Sequence, residues 1–519
     1  MKKLKNFELN TMLPFIAIVL LTFITSLVLH SNPFSEALAK HDSSMFTYFG
    51  YAMENGKIMY TDIFDHKGPI IFIFNYLGIL MSTANFDGIY IIEFISLFTF
   101  FVFTFKTGKL WNTNLVSFIP LIIEAITLTF FLEGGNLTEE YALPFIAYSL
   151  YSFVKFFKNN KKIISYEIIL IGISFSIVFL LRANMVSLWL IFCLVILIDF
   201  IRNKEYVKLL KVLGLFLFGV SIILIPICSY LYMNNALKDG IFQSLIFNFI
   251  YLDTSGERND AVRVLYSMLS NYYLVMIFSA FLAQIAFKWE KFDSSEKKII
   301  VASILFAILS YYTSVMSGRT YKHYLMPMIP TVTLPLAILL NEIPKKISQI
   351  KLICVVSLVI GLTYNIQLID IYEKIYVTNI VEVNESDGID VKEQIILNNK
   401  NKKANLLEVA DVIKNNTEIT DEIYVHRKSG YLYLLSDRLS SIKYFNLPAI
   451  DLNQDPLIGD DFIYDITHSN TALIAIDSSF NSKRKVGIEL EFYNFILKSY
   501  DLIYDDNGYS IYLNKSINK

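Results

Sequence analysis

Long apolar runs, separated by short polar segments, dominate the first 370 residues of the chain. A helix needs about 20 apolar residues to cross the hydrocarbon core of a bilayer. We predict eleven membrane-spanning helices, at residues 12–29, 88–106, 114–132, 141–157, 163–181, 183–201, 208–232, 266–288, 298–317, 325–341 and 350–368. Residues 69–83 form a further, shorter apolar run.

Short loops rich in lysine and arginine usually face the cytoplasm. The basic segments are residues 1–10, 106–111, 155–162, 202–211, 288–298 and 344–351. They fall on one side of the membrane only if residues 69–83 do not cross it, so we predict a re-entrant or interfacial helix there. The outer face then carries residues 30–68, 133–140, the hairpin at Arg182, 233–265, 318–324 and everything after 369.

Residues 370–519 have a different pattern, because charges, asparagines and short amphipathic segments return. The pattern predicts a helix near 406–415, strands at 421–426 and 471–477, and a final hairpin that turns at Asn507-Gly508. The predicted fold is a polytopic α-helical membrane domain, residues 1–369, followed by an extracytoplasmic α/β domain, residues 370–519.

The composition agrees with a membrane protein and differs from that of a soluble globular protein. Only 18% of the residues are charged and the mean hydropathy is +0.48, whereas a soluble domain is about one quarter charged. The net charge of −2 is uninformative and no basic stripe appears, so nothing argues for nucleic acid as a partner. The cysteines Cys193, Cys228 and Cys354 lie in apolar runs and predict no disulfide framework.

The first predicted outer loop begins with an amphipathic segment. Its apolar residues recur at helical spacing: Met45, Phe46, Phe49 and Met53. We therefore predict a helix over 42–54 that lies on the membrane with one apolar face. Asp42 is at its N-terminus, where a carboxylate is stabilised by the helix dipole. An ordinary helix cap is the commoner role for such a residue.

The same loop ends in Asp65-His66-Lys67-Gly68-Pro69, directly before the run at 69–83. Proline at a first-turn position starts a helix, and an ammonium beside a helix N-terminus at a membrane surface predicts a phosphate site. The alternative is an exposed ion pair between Asp65 and Lys67, with Gly68 and Pro69 as turn residues.

This loop resembles the first outer loop of polyprenyl-phosphate-dependent GT-C glycosyltransferases. The resemblance rests on Asp42, Gly56, Tyr60, Asp62 and the Asp65–Pro69 motif. This superfamily includes family-39-like enzymes, protein O-mannosyltransferases and the aminoarabinose transferases that modify lipid A. The resemblance extends over about residues 1–340 as a hydropathy plan. It implies that Asp42 is the catalytic carboxylate and that Lys67 binds the lipid phosphate, although Gly68 separates Lys67 from Pro69.

Two other predicted outer segments carry charges. Glu139 and Glu140 precede a helix, where they either complement its dipole or bind the acceptor. Arg182 begins a tight hairpin, where it either snorkels to the interface or contributes to the donor phosphate site.

Residues 317–324 form a basic and aromatic cluster. It contains Arg319, Tyr321, Lys322 and His323. A basic cluster on the outer side opposes the usual charge bias, and phosphate binding explains it; an interfacial aromatic anchor is the alternative. Glu124 lies within a predicted span, where an ionisable group is a functional candidate by default, but the sequence assigns it no role.

The resemblance predicts transfer of a sugar from a polyprenyl-phosphate donor lipid to an envelope glycan, lipid or protein, outside a bacterial plasma membrane. Asp42 would act as general base in an inverting single displacement. Lys67, Arg319, His323 and Arg182 would neutralise the leaving phosphate. A further group of residues would support the site or bind the acceptor: Asp65, His66, Asp62, Glu139, Glu140, Tyr321 and Lys322. Asp42 and Asp65 are candidate ligands for a divalent cation, which no spacing requires.

Two alternatives remain open at the level of sequence. A polymerase or ligase of lipid-linked glycans would use the same outer basic residues and differ only in its donor. A transporter or flippase would place polar groups near the membrane midplane, within matched halves. The crowding of polar residues at one interface favours the transferase.

Overall fold

The structure is a computed structural model of the 519-residue chain. It describes residues 2–35, 41–82, 87–249, 258–271, 273–341, 405–426, 430–446, 456–478, 480 and 485–516. The chain divides into two compact units. Unit 1 holds Met1–Ser35, Tyr90–Ser229 and Ser255–Ile371, and unit 2 holds Glu36–Ile89, Tyr230–Thr254 and Tyr372–Lys519.

Nine helices follow one another along the described chain up to residue 233. They are α1 Lys2–Ser26, α2 His41–Glu54, α3 Pro69–Met81, α4 Asp87–Gly108, α5 Asn114–Phe131, α6 Thr138–Lys158, α7 Ser165–Leu181, α8 Ser187–Arg202 and α9 Tyr206–Met233. α10, Leu237–Ile241, continues into a π-helical turn, Phe242–Ile246. The next helices are Arg258–Asn271, Leu274–Lys288, Ser294–Val315, the 3-10 helix Lys322–Val332, and Thr333–Leu340.

The prediction of a polytopic helical membrane protein is confirmed. Among the described residues, five helices are long and apolar enough to cross a membrane, and a sixth results if one bent pair counts as a single span. The total of eleven spans stays a prediction, because the run at 350–368 lies outside the described residues. The basic segment 344–351 also lies outside them.

One predicted span is wrong as a continuous helix. Residues 266–288 belong to two helices, Arg258–Asn271 and Leu274–Lys288, whose axes differ by 77°. Tyr273 has a left-handed backbone with φ of 62°. A non-glycine residue in this conformation interrupts helical hydrogen bonding, and an apolar run gives no sign of such a break.

Helix α3 is short, as predicted for residues 69–83. It has 13 residues, which at 1.5 Å per residue give about 20 Å, less than the roughly 30 Å of a bilayer core. Its sequence starts the helix well, because Gly68 is the extended N-cap residue and Pro69 occupies the first turn.

Helix α2 forms where predicted, but the prediction that it lies on the membrane with one apolar face is wrong. Residues on all its faces are buried, so it does not present a single apolar face. Phe49 stacks on Phe72 of α3 with ring centroids 4.1 Å apart, and Tyr48 stacks on Phe445 of the C-terminal region at 4.5 Å. Within unit 2, α2 is therefore an internal helix between α3 and the C-terminal region.

The C-terminal region contains the predicted α/β elements. A helix spans residues 405–415, and the strands are β1 Ile423–His426, β2 Leu473–Asp477, β3 Tyr500–Asp506 and β4 Tyr509–Asn514. Their order in the sheet is β1-β2-β4-β3, with β1 parallel to β2 and the other pairs antiparallel. The final hairpin turns at Asn507-Gly508, both with positive φ, as predicted. Helices Tyr431–Ser436, Pro456–His468 and Ile488–Ser499 complete the region.

The predicted topology is testable by cysteine labelling. Lys109 and Thr320 are both exposed. In a variant without native cysteines, a cysteine at position 109 should resist an impermeant thiol reagent in intact cells, whereas one at 320 should react. Asn136, although predicted outside, is only 1% exposed and is unsuitable as a probe. The reverse labelling pattern would show that residues 69–81 cross the membrane.

Candidate donor-phosphate site in unit 2

The loop between α2 and α3 has a conformation that its own side chains stabilise. Gly56 and Tyr60 have φ of 85° and 70°, so the chain turns sharply at both. The Asp62 carboxylate accepts a hydrogen bond of 2.7 Å from the backbone N–H of Ile58. Asp62, which was predicted to support the site, therefore stabilises this turn through its hydrogen bond to Ile58.

Lys67 and Asp65 are buried, whereas the side chain of His66 between them is partly exposed. Asp65 and Lys67 are 4% and 9% exposed, so the alternative of an exposed surface pair is wrong. The Lys67 backbone N–H donates to Asp65 Oδ1 at 2.8 Å, and the buried Tyr60 hydroxyl donates to the Lys67 carbonyl at 2.8 Å. Lys67 Nζ lies 3.2 Å from His66 Nε2, and His66 Nδ1 lies 4.0 Å from Asp65 Oδ1.

Burial and the neighbouring Lys67 shift the pKa of the Asp65 carboxyl in opposite directions. Burial raises its pKa to about 6, while the Lys67 charge and the Lys67 backbone N–H lower it. The charge of Asp42 also raises the pKa of Asp65. Burial outweighs the lysine, so ionisation of Asp65 in the folded chain costs free energy.

The raised pKa predicts that Asp65→Asn stabilises the chain near neutral pH. The folded state holds the proton more tightly than the unfolded state, so Asp65 lowers stability progressively as pH rises from about 4 to about 6. At pH 7 the variant should gain on the order of 1–3 kcal/mol, because the asparagine amide keeps an oxygen for the Lys67 N–H. Thermal unfolding in detergent at pH 4 and pH 7 measures this. An equal gain at both pH values would contradict the assignment.

Asp42 lies in the first turn of α2, as predicted. Its side chain is 37% exposed, and its Oδ1 is 3.7 Å from His41 Nδ1. Ser44, two residues further on, donates its hydroxyl to the His41 carbonyl and accepts a hydrogen bond of 3.2 Å from the Gly430 backbone N–H. The helix start is thus attached to the C-terminal region, while the carboxylate stays accessible for chemistry.

Unit 1 brings Arg182 and Glu139 together, which the sequence did not indicate. The Arg182 guanidinium pairs with the Glu139 carboxylate and lies 4.0 Å above the ring of Tyr324. Both side chains are largely buried, and they line a small polar cavity with Asn184 and Thr313. The arginine charge is thereby matched by a carboxylate. The predicted roles of Arg182 in phosphate binding and of Glu139 in acceptor binding stay predictions.

The basic and aromatic cluster at 317–324 is also part of unit 1. His323 is buried, and its Nδ1 lies 2.6 Å from Glu133 Oε2. Tyr321 stacks parallel to the His323 ring at 5.6 Å and is half-exposed. Arg319 and Lys322 are partly buried. The phosphate-binding role of Arg319 and His323, and the supporting role of Tyr321 and Lys322, stay predictions.

Sequence reasoning missed the buried carboxyl group of Glu93 in unit 1. Glu93 in α4 is fully buried and accepts hydrogen bonds from the Ser31 hydroxyl and the Asn136 backbone N–H. Glu140, predicted to contact the acceptor, is fully buried as well. An ionisable residue within an apolar run was the available signal. That signal identified Glu124, which accepts hydrogen bonds from Thr104 and Thr333 and so has a structural partner on each side.

Among the described residues, no group of three or more His, Cys, Asp or Glu side chains could hold a metal ion. The pair Asp42 and Asp65, named above as candidate cation ligands, therefore lacks a third ligand of these types in the part of the chain that the structure describes. What the loop offers instead is the largely buried Lys67 just before α3, whose charge acts on the buried Asp65 carboxyl. A cation in a desolvated site before a helix N-terminus is suited to binding a phosphate monoester or diester.

Comparison with solved structures shows which fold this is. ArnT from Cupriavidus metallidurans bound to undecaprenyl phosphate aligns with a TM-score of 0.62 at 10% identity, covering 98% of this chain and 99% of that one. ArnT from the same organism in the apo state gives 0.59 at 11% identity, covering 97% and 98%. This similarity confirms the predicted GT-C membrane fold.

Family membership is independent of those structures. No curated protein matches the chain. A family model described as "Putative competence-induced protein Ccs4 N-terminal domain" matches residues 4–357, which is more than half of the 519 residues. The chain is therefore a multi-pass membrane protein that belongs to the Ccs4 N-terminal domain family.

Proposed function

We propose that the chain is a membrane glycosyltransferase that moves a sugar from a polyprenyl-phosphate donor to an acceptor in the cell envelope. The observation that carries this proposal is the cluster of unit 2. It combines the buried ammonium of Lys67, the buried carboxyl of Asp65 and the accessible carboxylate of Asp42. A displacement at a sugar phosphate needs a base for the acceptor hydroxyl and a cation for the leaving phosphate, and Asp42 and Lys67 can supply them.

The reaction is a single displacement at the anomeric carbon. Asp42 accepts the proton of the acceptor hydroxyl while its oxygen forms the new bond to that carbon. The bond between the anomeric carbon and the phosphate oxygen breaks at the same time, and the electron pair leaves with the polyprenyl phosphate. Lys67 compensates the charge that develops on the departing phosphate. One displacement inverts the anomeric configuration.

The fold supports a lipid-linked donor. ArnT, which shares the fold over nearly its whole length, is bound to undecaprenyl phosphate in its crystal structure. A donor with a polyprenyl tail stays in the bilayer, and α3 is a short apolar helix that follows Lys67 directly. We propose that the reaction takes place at the outer face of a bacterial plasma membrane, because the positive-inside pattern predicts that residues 30–68 lie there.

A donor comparison tests the proposal against its two rivals. The purified chain, reconstituted in vesicles, is offered a monosaccharide-linked and an oligosaccharide-linked polyprenyl donor together with an envelope extract as acceptor. We expect consumption of the monosaccharide donor. Consumption of the oligosaccharide donor alone would indicate a polymerase or ligase. Movement of intact donor across the bilayer, with neither donor consumed, would indicate a flippase.

A further inference from the structure

The loop that carries Lys67 is fastened to a helix far away in sequence. Gln243 is 4% exposed, and its side-chain amide makes two hydrogen bonds to the loop. Its Nε2 donates to the Tyr60 carbonyl at 2.7 Å, and its Oε1 accepts from the Asp65 backbone N–H at 3.1 Å. A single side chain thus joins both sides of the turn that precedes Lys67.

The neighbouring residues extend this attachment. Asn248, in the same helical segment, donates to the His66 carbonyl at 3.0 Å. Phe64 packs edge-to-face on Phe247 at 5.4 Å, and its backbone N–H donates to the Lys443 carbonyl at 2.8 Å. Backbone groups of three consecutive residues, 64 to 66, are therefore held from outside the loop.

The helical segment itself has an unusual geometry at this place. Gln243 lies within the π-helical turn Phe242–Ile246. Such turns are rare in proteins overall, and those that occur are often found at functional sites. The wider turn changes the direction of side chains relative to a regular α-helix. Here it accompanies a glutamine amide that faces the loop, in a segment that carries no recognisable catalytic motif.

We propose that Gln243 is a positioning residue for the donor-phosphate site. It acts through the loop: by fixing the Tyr60 carbonyl and the Asp65 N–H, it sets where the Lys67 ammonium stands relative to Asp42. Gln243 does not itself contact the donor. The inference rests on the proposed function, because it assigns the residue a part in placing Lys67 for phosphate binding.

The test compares Gln243→Met, which keeps the length of the side chain and removes both hydrogen bonds, with Gln243→Glu, which keeps only the acceptor. Displacing a catalytic group by about 1 Å costs up to a hundredfold in rate. We expect Gln243→Met to lower kcat/KM for the donor about tenfold to a hundredfold, and Gln243→Glu to lie between it and the wild type. Gln284→Met, the same substitution in unit 1, should leave kcat/KM unchanged.

A double-variant cycle separates positioning from mere stability. If Gln243 acts through Lys67, Gln243→Met should have little further effect on the rate in a Lys67→Met background. Two effects that multiply in full would overturn the proposal, since a general loss of folded protein acts in either background.

Hydrogen exchange provides a readout that needs no donor. Amides 58–67 should exchange at least tenfold faster in Gln243→Met than in the wild type, and no faster in Gln284→Met. Unchanged exchange in this loop would overturn the positioning role. If the wild type transfers no sugar but exchange still accelerates, the proposed function fails while the attachment of the loop stands.

Discussion

Lys67→Met should lower the rate of sugar transfer by about thirtyfold to a thousandfold. Methionine keeps most of the aliphatic stem and removes only the cation. Lys67 is 9% exposed, so in the proposed mechanism its contact with the developing negative charge is largely shielded from water and therefore strong. Loss of such a contact in the transition state costs on the order of 2–4 kcal/mol. Steady-state kinetics of the purified variant with the donor lipid measures the loss.

Two companion variants separate binding of phosphate from a purely structural charge. Lys67→Arg should recover part of the rate, because the charge remains while a planar fork replaces a compact ammonium. If Lys67 served only to balance Asp65, the double variant Lys67→Met with Asp65→Asn would regain full transfer. We expect it to regain stability and to remain slow. Nearly normal turnover in Lys67→Met alone would remove the central residue of the site.

Asp42→Asn should abolish transfer while the chain remains folded. The amide has nearly the shape of the carboxylate but cannot accept the proton of the acceptor hydroxyl. General-base catalysis contributes about a hundredfold to ten-thousandfold, so the rate should fall by at least the lower figure. Because the side chain is 37% exposed and lies at a helix end, the substitution should change thermal stability little.

The matched control for Asp42 is another acidic residue of the same unit. Asp437→Asn alters a carboxylate that accepts a hydrogen bond from the hydroxyl of Tyr51, a residue on the same helix as Asp42. It should leave transfer close to the wild-type rate. Full turnover in Asp42→Asn would assign this residue to capping of α2, the alternative that its position also allows.

Short stretches of sequence correctly predicted those features of the fold that a few neighbouring residues determine. The Asn507-Gly508 hairpin and the start of α3 at Pro69 follow from turn and helix-start preferences that a few residues determine. The membrane fold follows from run lengths, which the bilayer thickness dictates. In the proposed site, Asp42 and Lys67 could be named as candidates from the sequence because one short segment carries both.

Contacts between distant segments were beyond the reach of those patterns. Nothing in the residues around Gln243 indicates that its amide joins Tyr60 and Asp65, some 180 positions earlier. The pairing of Arg182 with Glu139 depends on the packing of separate helices in unit 1. The burial of α2 on all sides was missed because the C-terminal region covers its polar face.

A single-turnover reaction tests the central claim most directly. Purified chain in molar excess is mixed with a monosaccharide-linked polyprenyl-phosphate donor and acceptor extract, and free polyprenyl phosphate and glycosylated product are followed together. We predict that the wild type releases one polyprenyl phosphate for each sugar transferred, with inverted anomeric configuration, and that the double variant Asp42→Asn with Lys67→Met releases none in the same time. Release at equal rates by both proteins, or no release by the wild type, would contradict the account.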